Sequence, residues 1–105
     1  MNAQDEKIIM EIIVNGGEAK SKSLEAVECA KKGDFVRAEQ LLKLADDKLH
    51  AAHEVQTDMI RNEINGDNYH VTLMMVHAQD HVMNASTVRA LAEEIIEVYK
   101  KLKGE

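Results

Sequence analysis

Val76-His77-Ala78-Gln79-Asp80-His81 puts two imidazoles, a carboxamide and a carboxylate within six residues. His77 and Asp80 are three residues apart, and His77 and His81 four. On a helix both spacings bring side chains to one side. The segment lies inside a long stretch with helical apolar spacing, and the pattern predicts that its face packs. Polar groups on a packed face cost stability unless they are paired or used. This run is therefore the strongest candidate for chemistry in the chain.

Three readings of the imidazoles compete. The first is structural: histidines on helices often bond to a neighbour or lie at a surface, which suits His70 and His50. The second is a metal site, with His77, Asp80 and His81 offering two nitrogens and a carboxylate to a transition ion. Against it, no glutamate lies three residues before any histidine, so the Glu-x-x-His pattern of di-iron bundles is absent. The third is nucleophilic catalysis. An imidazole has a reference pKa of about 6.5, so its neutral form is available near neutral pH to attack phosphorus. Partial burial would favour that neutral form. Gln79 or Gln56 could donate to phosphoryl oxygens without adding charge. His50 and His53, with Gln56, could join the cluster if their helix packs beside His77. Cys29, the only cysteine, has no imidazole nearby in sequence to activate it.

These residues must be held by helices. The first is expected from about Asn2 to Lys32, with Ile8, Ile9, Ile12 and Ile13 as its stripe and Leu24, Val27 and Ala30 continuing it. Gly16-Gly17 interrupts it, at a cost of about 1 kcal/mol per glycine relative to alanine. The expectation is one weakened or kinked helix, with the glycines also able to admit a neighbouring backbone. Lys31-Lys32-Gly33-Asp34 reads as a C-terminal cap followed by an N-cap. The second helix is expected from Phe35 to about Asn65, on Phe35, Ala38, Leu41, Leu42, Ala45, Leu49, Ala52, Met59 and Ile60. Asn65-Gly66-Asp67-Asn68 marks the next turn. The third is expected from about Tyr69 to Lys103, on Leu73, Met74, Val88, Leu91, Ile95, Val98 and Leu102.

Composition agrees with an all-α fold. Of 105 residues 45% are hydrophobic, but only 3% are aromatic and none is proline, which suits a helical core better than a β-sandwich. The length predicts one domain spanning 1–105. Three helices of about 45 Å with short connections predict an antiparallel up-down-up bundle. Its thin core and polar interruptions predict a homo-oligomer. Thirteen basic against nineteen acidic residues give a net charge of −6, which argues against nucleic-acid or anionic-lipid binding. The N-terminus is polar and acidic, without the pattern of a signal peptide, and Leu73–Val76 is far too short an apolar run to span a membrane. With a lone cysteine, these features suggest a reducing compartment.

Val76-His77-Ala78-Gln79-Asp80-His81-Val82-Met83 resembles the active-site segment of lactose/cellobiose-type IIA proteins of the bacterial sugar phosphotransferase system. The likeness extends to Ile13-Val14-Asn15-Gly16-Gly17-Glu18-Ala19-Lys20-Ser21, Ala30-Lys31-Lys32-Gly33-Asp34-Phe35 and Ala52-His53-Glu54-Val55-Gln56-Thr57. It covers nearly the whole chain, in order. The resemblance implies a cytoplasmic phosphotransferase component of three-helix subunits that assemble as a homotrimer of nine helices. It implies that His77 accepts a phosphoryl group from phospho-HPr and passes it to a cysteine of the cognate IIB, and that membrane IIC couples transfer to disaccharide uptake. It implies that Asp80 lies at the three-fold axis and shares one Mg2+ with its symmetry mates. Gln79 and His81 are candidates to orient the phosphoryl group; Gln56 and His53 are weaker ones. Met74, Met75 and Met83 are expected as a soft apolar rim for partners, with Met74 the most suited to plain packing. The alternative is a non-catalytic regulatory or metal-binding helical bundle.

Overall fold

The computed structural model describes residues 3–67 and 70–104. It contains three helices, α1 (Ala3–Lys31), α2 (Phe35–Ile64) and α3 (Leu73–Leu102), and no strand among the described residues. The bundle measures 54 × 22 × 19 Å. The expected start of the first helix at Asn2 and of the third at Tyr69 lie outside the described residues, as does Asn68 of the second turn. The helix does not break at Gly16-Gly17: α1 runs through both.

Local chemistry sets the ends. At the first turn Asp34 N–H donates to Cys29 O at 2.9 Å and Gly33 N–H to Ala30 O at 3.0 Å. Gly33 takes φ +86°, the left-handed conformation that this pair of closing bonds requires. Asp34 then caps α2, its carboxylate accepting from Arg37 N–H at 3.1 Å. Thr72 caps α3 from an extended backbone, its hydroxyl accepting from Met75 N–H at 3.2 Å. That bond fixes Leu73 as the first helical residue, four positions later than Tyr69.

Helix α1 packs extensively on both α2 and α3, which touch each other much less. Pairs that join α2 to α3 are Gln56 with Gln79, His53 with Ser86, Asp46 with Arg89 and Glu39 with Lys100. Residue numbers along α2 fall as those along α3 rise. The core is thin and rich in alanine. Ala26, Ala30, Ala38 and Ala92 pack with Phe35, Leu41, Leu42 and Ile96 near the first turn, and Ile9, Ile12, Met59 and Val82 near the other end. Small side chains let helices approach closely, so little apolar area is needed to close the seam.

The stripe expected for the third helix is overturned. Leu73 and Leu102 are 85% and 76% exposed, and Met74, Leu91, Ile95 and Val98 are exposed as well. The buried face of α3 is Met75, Ala78, Val82, Ala85, Ala92 and Ile96. Two apolar stripes share the helix, and the inner one intersperses alanines among Met75, Val82 and Ile96. On α2 the expected stripe is buried except for Ile60. On α1, Leu24 is exposed, while Ile9, Ile12 and Ala30 are buried.

Candidate functional site

The site is built on the first half of α3. Ala78 and Val82 are fully buried against α1 and α2, and they fix the helix so that His77 and Asp80 point outward and Gln79 and His81 lie half-buried at the seam. His77 does not interrupt a packed face: it stands at the edge of the outer stripe, so the expectation of a partly buried imidazole is corrected. Alanine on one side of the turn leaves the other free for polar groups at no desolvation cost.

His77 Nε2 and His81 Nε2 lie 3.1 Å apart, with the rings edge to face and centroids 4.5 Å apart. One nitrogen must donate and the other accept. When His81 Nε2–H donates, the lone pair of His77 Nε2 accepts the bond and must be released from it before that nitrogen attacks phosphorus. The second imidazole thus holds the orientation of the first ring.

On the other side of the same turn of α3, Gln56 Nε2–H donates to Gln79 Oε1 at 2.5 Å, tying α2 to α3. The amide of Gln79 also lies 3.9 Å from Met75 Sδ, a weak contact. An apolar groove opens next to this bridge, lined by Met59, Ile60, Val71, Met75 and Val76. Met75 is buried, whereas Met74 and Met83 are exposed. Met75, not Met74, is therefore the packing residue.

The single cluster anticipated from two helices divides. Gln56 does reach the site through Gln79. His53 turns instead to Ser86 Oγ at 3.2 Å, and His50 pairs with Glu54 on its own helix at 3.0 Å. Ser86 is a site-adjacent residue that sequence reasoning did not assign, whereas the close backbone approach expected at Gly16-Gly17 is found at Gly16. Spacing could not find Ser86, because its partner is 33 positions away. Asp80 is exposed and makes no hydrogen bond or ion pair among the described residues. No three His, Cys, Asp or Glu side chains gather in a metal-binding group among the described residues, which removes the three-ligand site of His77, Asp80 and His81 within one chain. Among the described residues no helix is long and apolar enough to cross a membrane.

Residues 7–100 match the family model of the PTS system, lactose/cellobiose-specific IIA subunit. The lichenan-specific phosphotransferase enzyme IIA component of Bacillus subtilis (strain 168) is 48% identical over 102 residues, covering 97% of this chain and 93% of that one. The N,N'-diacetylchitobiose-specific EIIA component of Escherichia coli (strain K12) is 39% identical, over 94% and 85%. The crystal structure of the PTS cellobiose-specific enzyme IIA from Bacillus anthracis superposes with a TM-score of 0.96 at 38% identity, covering all of this chain and 96% of the other. A IIA(chitobiose) solved in complex with HPr, from Escherichia coli, gives a TM-score of 0.79 at 38% identity, over 93% and 95%. The chain belongs to the lactose/cellobiose-specific IIA family and is a phosphotransferase component of a sugar phosphotransferase system.

Proposed function

We propose that His77 is the phosphoryl carrier. Its nitrogen attacks the phosphorus of a phosphohistidine on HPr, so that one N–P bond forms as the other breaks. The group then leaves His77 for a cysteine thiolate of the cognate IIB, with an S–P bond replacing the N–P bond. The observation that carries this reading is the exposed His77 imidazole held 3.1 Å from His81 in a chain of this family. HPr as donor is supported by the relative solved with it. His81, against the His77 ring, is assigned to orient the phosphoryl oxygens, and Gln79, half-buried two residues along α3 from His77, is assigned with it. The protein acts in the cytoplasm, with IIC as its indirect link to the membrane. The sugar is a disaccharide.

The same reading takes the bundle as up-down-up, on the falling and rising residue pairs between α2 and α3, and as one third of a homotrimer of nine helices. Leu73, Leu91, Ile95, Val98 and Leu102 leave an apolar row uncovered on the outer face of α3, and Asp80 falls in line with it at helical spacing. A lone exposed carboxylate cannot hold a divalent ion. Three copies meeting at an axis would supply three oxygens, which fits the hard-oxygen preference of Mg2+ with water completing the shell. Bound there, the ion would offset repulsion between the carboxylates and take no part in phosphoryl transfer.

Incubation with phosphoenolpyruvate, Enzyme I and HPr tests the carrier. The parent should gain one acid-labile phosphoryl group per chain, and His77→Ala none. Equal labelling of His77→Ala would show that the site is elsewhere.

A further inference from the structure

Gly16 and Gly17 are neighbours in sequence with opposite surroundings. A Cβ at Gly17 would meet nothing within 4 Å. A Cβ at Gly16 would lie 3.3 Å from the carbonyl carbon of His81, 3.4 Å from its oxygen and 3.4 Å from Val82 N. All three are backbone atoms of α3, which cannot swing aside as a side chain would. Gly16 is buried, and no left-handed backbone explains it. The missing side chain is therefore what allows α1 and α3 to touch backbone to backbone, at the turn that carries His77 and His81.

We infer that Gly16 is a positioning residue for the phosphoryl-accepting site, setting the depth at which the His77–His81 turn of α3 is seated on α1 and hence its register against α2. The inference rests on the carrier role proposed for His77. Because α2 and α3 touch each other little, α1 decides their separation. The two side-chain bridges on either side of His81 measure it: Gln56 to Gln79 at 2.5 Å and His53 to Ser86 at 3.2 Å. A methyl at position 16 moves α3 outward by a few tenths of an ångström. Both bridges lengthen, and Gln79 and His81 shift relative to the α2 edge against which a donor is presented. The intrahelical His77–His81 distance is left alone, so the effect falls on presentation of the pair.

Three variants separate positioning from stability. Gly16→Ala adds the methyl. Gly17→Ala adds the same methyl where there is room. Ala19→Gly removes a methyl from the adjoining cluster of Ala19, Leu49 and Ala85, weakening α1 without touching His81. Transfer from phospho-HPr at saturating donor should fall about three- to tenfold in Gly16→Ala, since small misplacements of reacting groups have large rate effects. It should stay within about twofold of the parent in the other two. In 15N-imidazole spectra, His53 and His81 should shift in Gly16→Ala while His50 does not. Unchanged transfer in Gly16→Ala, an equal loss in Ala19→Gly, or a stationary His53 signal would each overturn the inference. If Gly16→Ala does not fold, Val82→Ile pushes α3 from the core side, and it must slow transfer and move His53 in the same way. A parent chain that takes no phosphoryl group from phospho-HPr would instead overturn the carrier reading. The His53 signal would still decide whether Gly16 seats α3.

Discussion

Arg89 should be the strongest polar tie between α2 and α3. Its Nε donates to Asp46 Oδ1 at 2.6 Å and its Nη2 to Asp46 Oδ2 at 3.0 Å, while Nη1 donates to Glu93 Oε2 at 2.5 Å. The Arg89 side chain is 17% exposed, but Asp46 and Glu93 are 51% and 56% exposed. Exposed pairs are worth about 0.2–1 kcal/mol, and hydrogen bonds to charged groups about 1.5–3 kcal/mol. With one partner shielded and the other wet, a coupling of about 1 kcal/mol between Arg89 and Asp46 is expected. A cycle of Arg89→Met, Asp46→Asn and the double variant measures it by urea unfolding at one fixed protein concentration. Methionine keeps most of the apolar stem, so the cycle reports the charges. The coupling should fall by about half between about 0.05 M and about 0.5 M salt. The bond to Asp46 raises the Arg89 pKa above its ordinary value. A cation with a raised folded-state pKa contributes fully below its unfolded value and loses that contribution only as pH rises through the folded one. The coupling should therefore be the same at about pH 7 and about pH 10. A value below about 0.3 kcal/mol at low salt, or a loss by pH 10, would refute the reasoning.

Gly17→Ala should stabilise the fold by about 0.5–1 kcal/mol, because the methyl meets open space and the helix gains propensity; an unchanged urea midpoint would count against it. Asp80→Leu, on the trimer reading, removes three like charges from the axis and should keep or strengthen self-association in the absence of divalent metal. Sedimentation that finds it monomeric at a concentration where the parent is associated would sink the axial placement.

What the sequence made legible is what local chemistry decides. Gly33, Asp34 and Gly66 mark helix ends because capping and left-handed φ are choices of one or two residues. The His77–His81 pair follows from spacing on one helix. The orientation of α3 did not follow. Its sequence carries a large-residue stripe from Leu73 to Leu102 and an alanine-rich one from Ala78 to Ala92, and periodicity ranks them by hydrophobicity. The fold ranks them by size, because helices spaced by alanine approach more closely. That reversal moved His77 to the surface and Met75 into the core. The bridges from Gln56 to Gln79 and from His53 to Ser86 depend on how two helices are rotated against each other, which no short spacing encodes.

The same reversal bears on mechanism. On the proposed carrier role, His77 attacks the phosphorus held by one protein, and its phosphoryl group is then attacked by another, so the site has to be reached in line from outside at both steps. Burial would block both. Exposure alone leaves an imidazole free to turn, and disorder in the attacking group costs rate. The chain meets both demands on one helical turn. Ala78 beneath His77 is fully buried, so the backbone is fixed while the ring stays outside. His81, four residues on, holds that ring through a bond internal to α3, independent of either partner. The partners then need only deliver or receive the phosphoryl group against a site already in place.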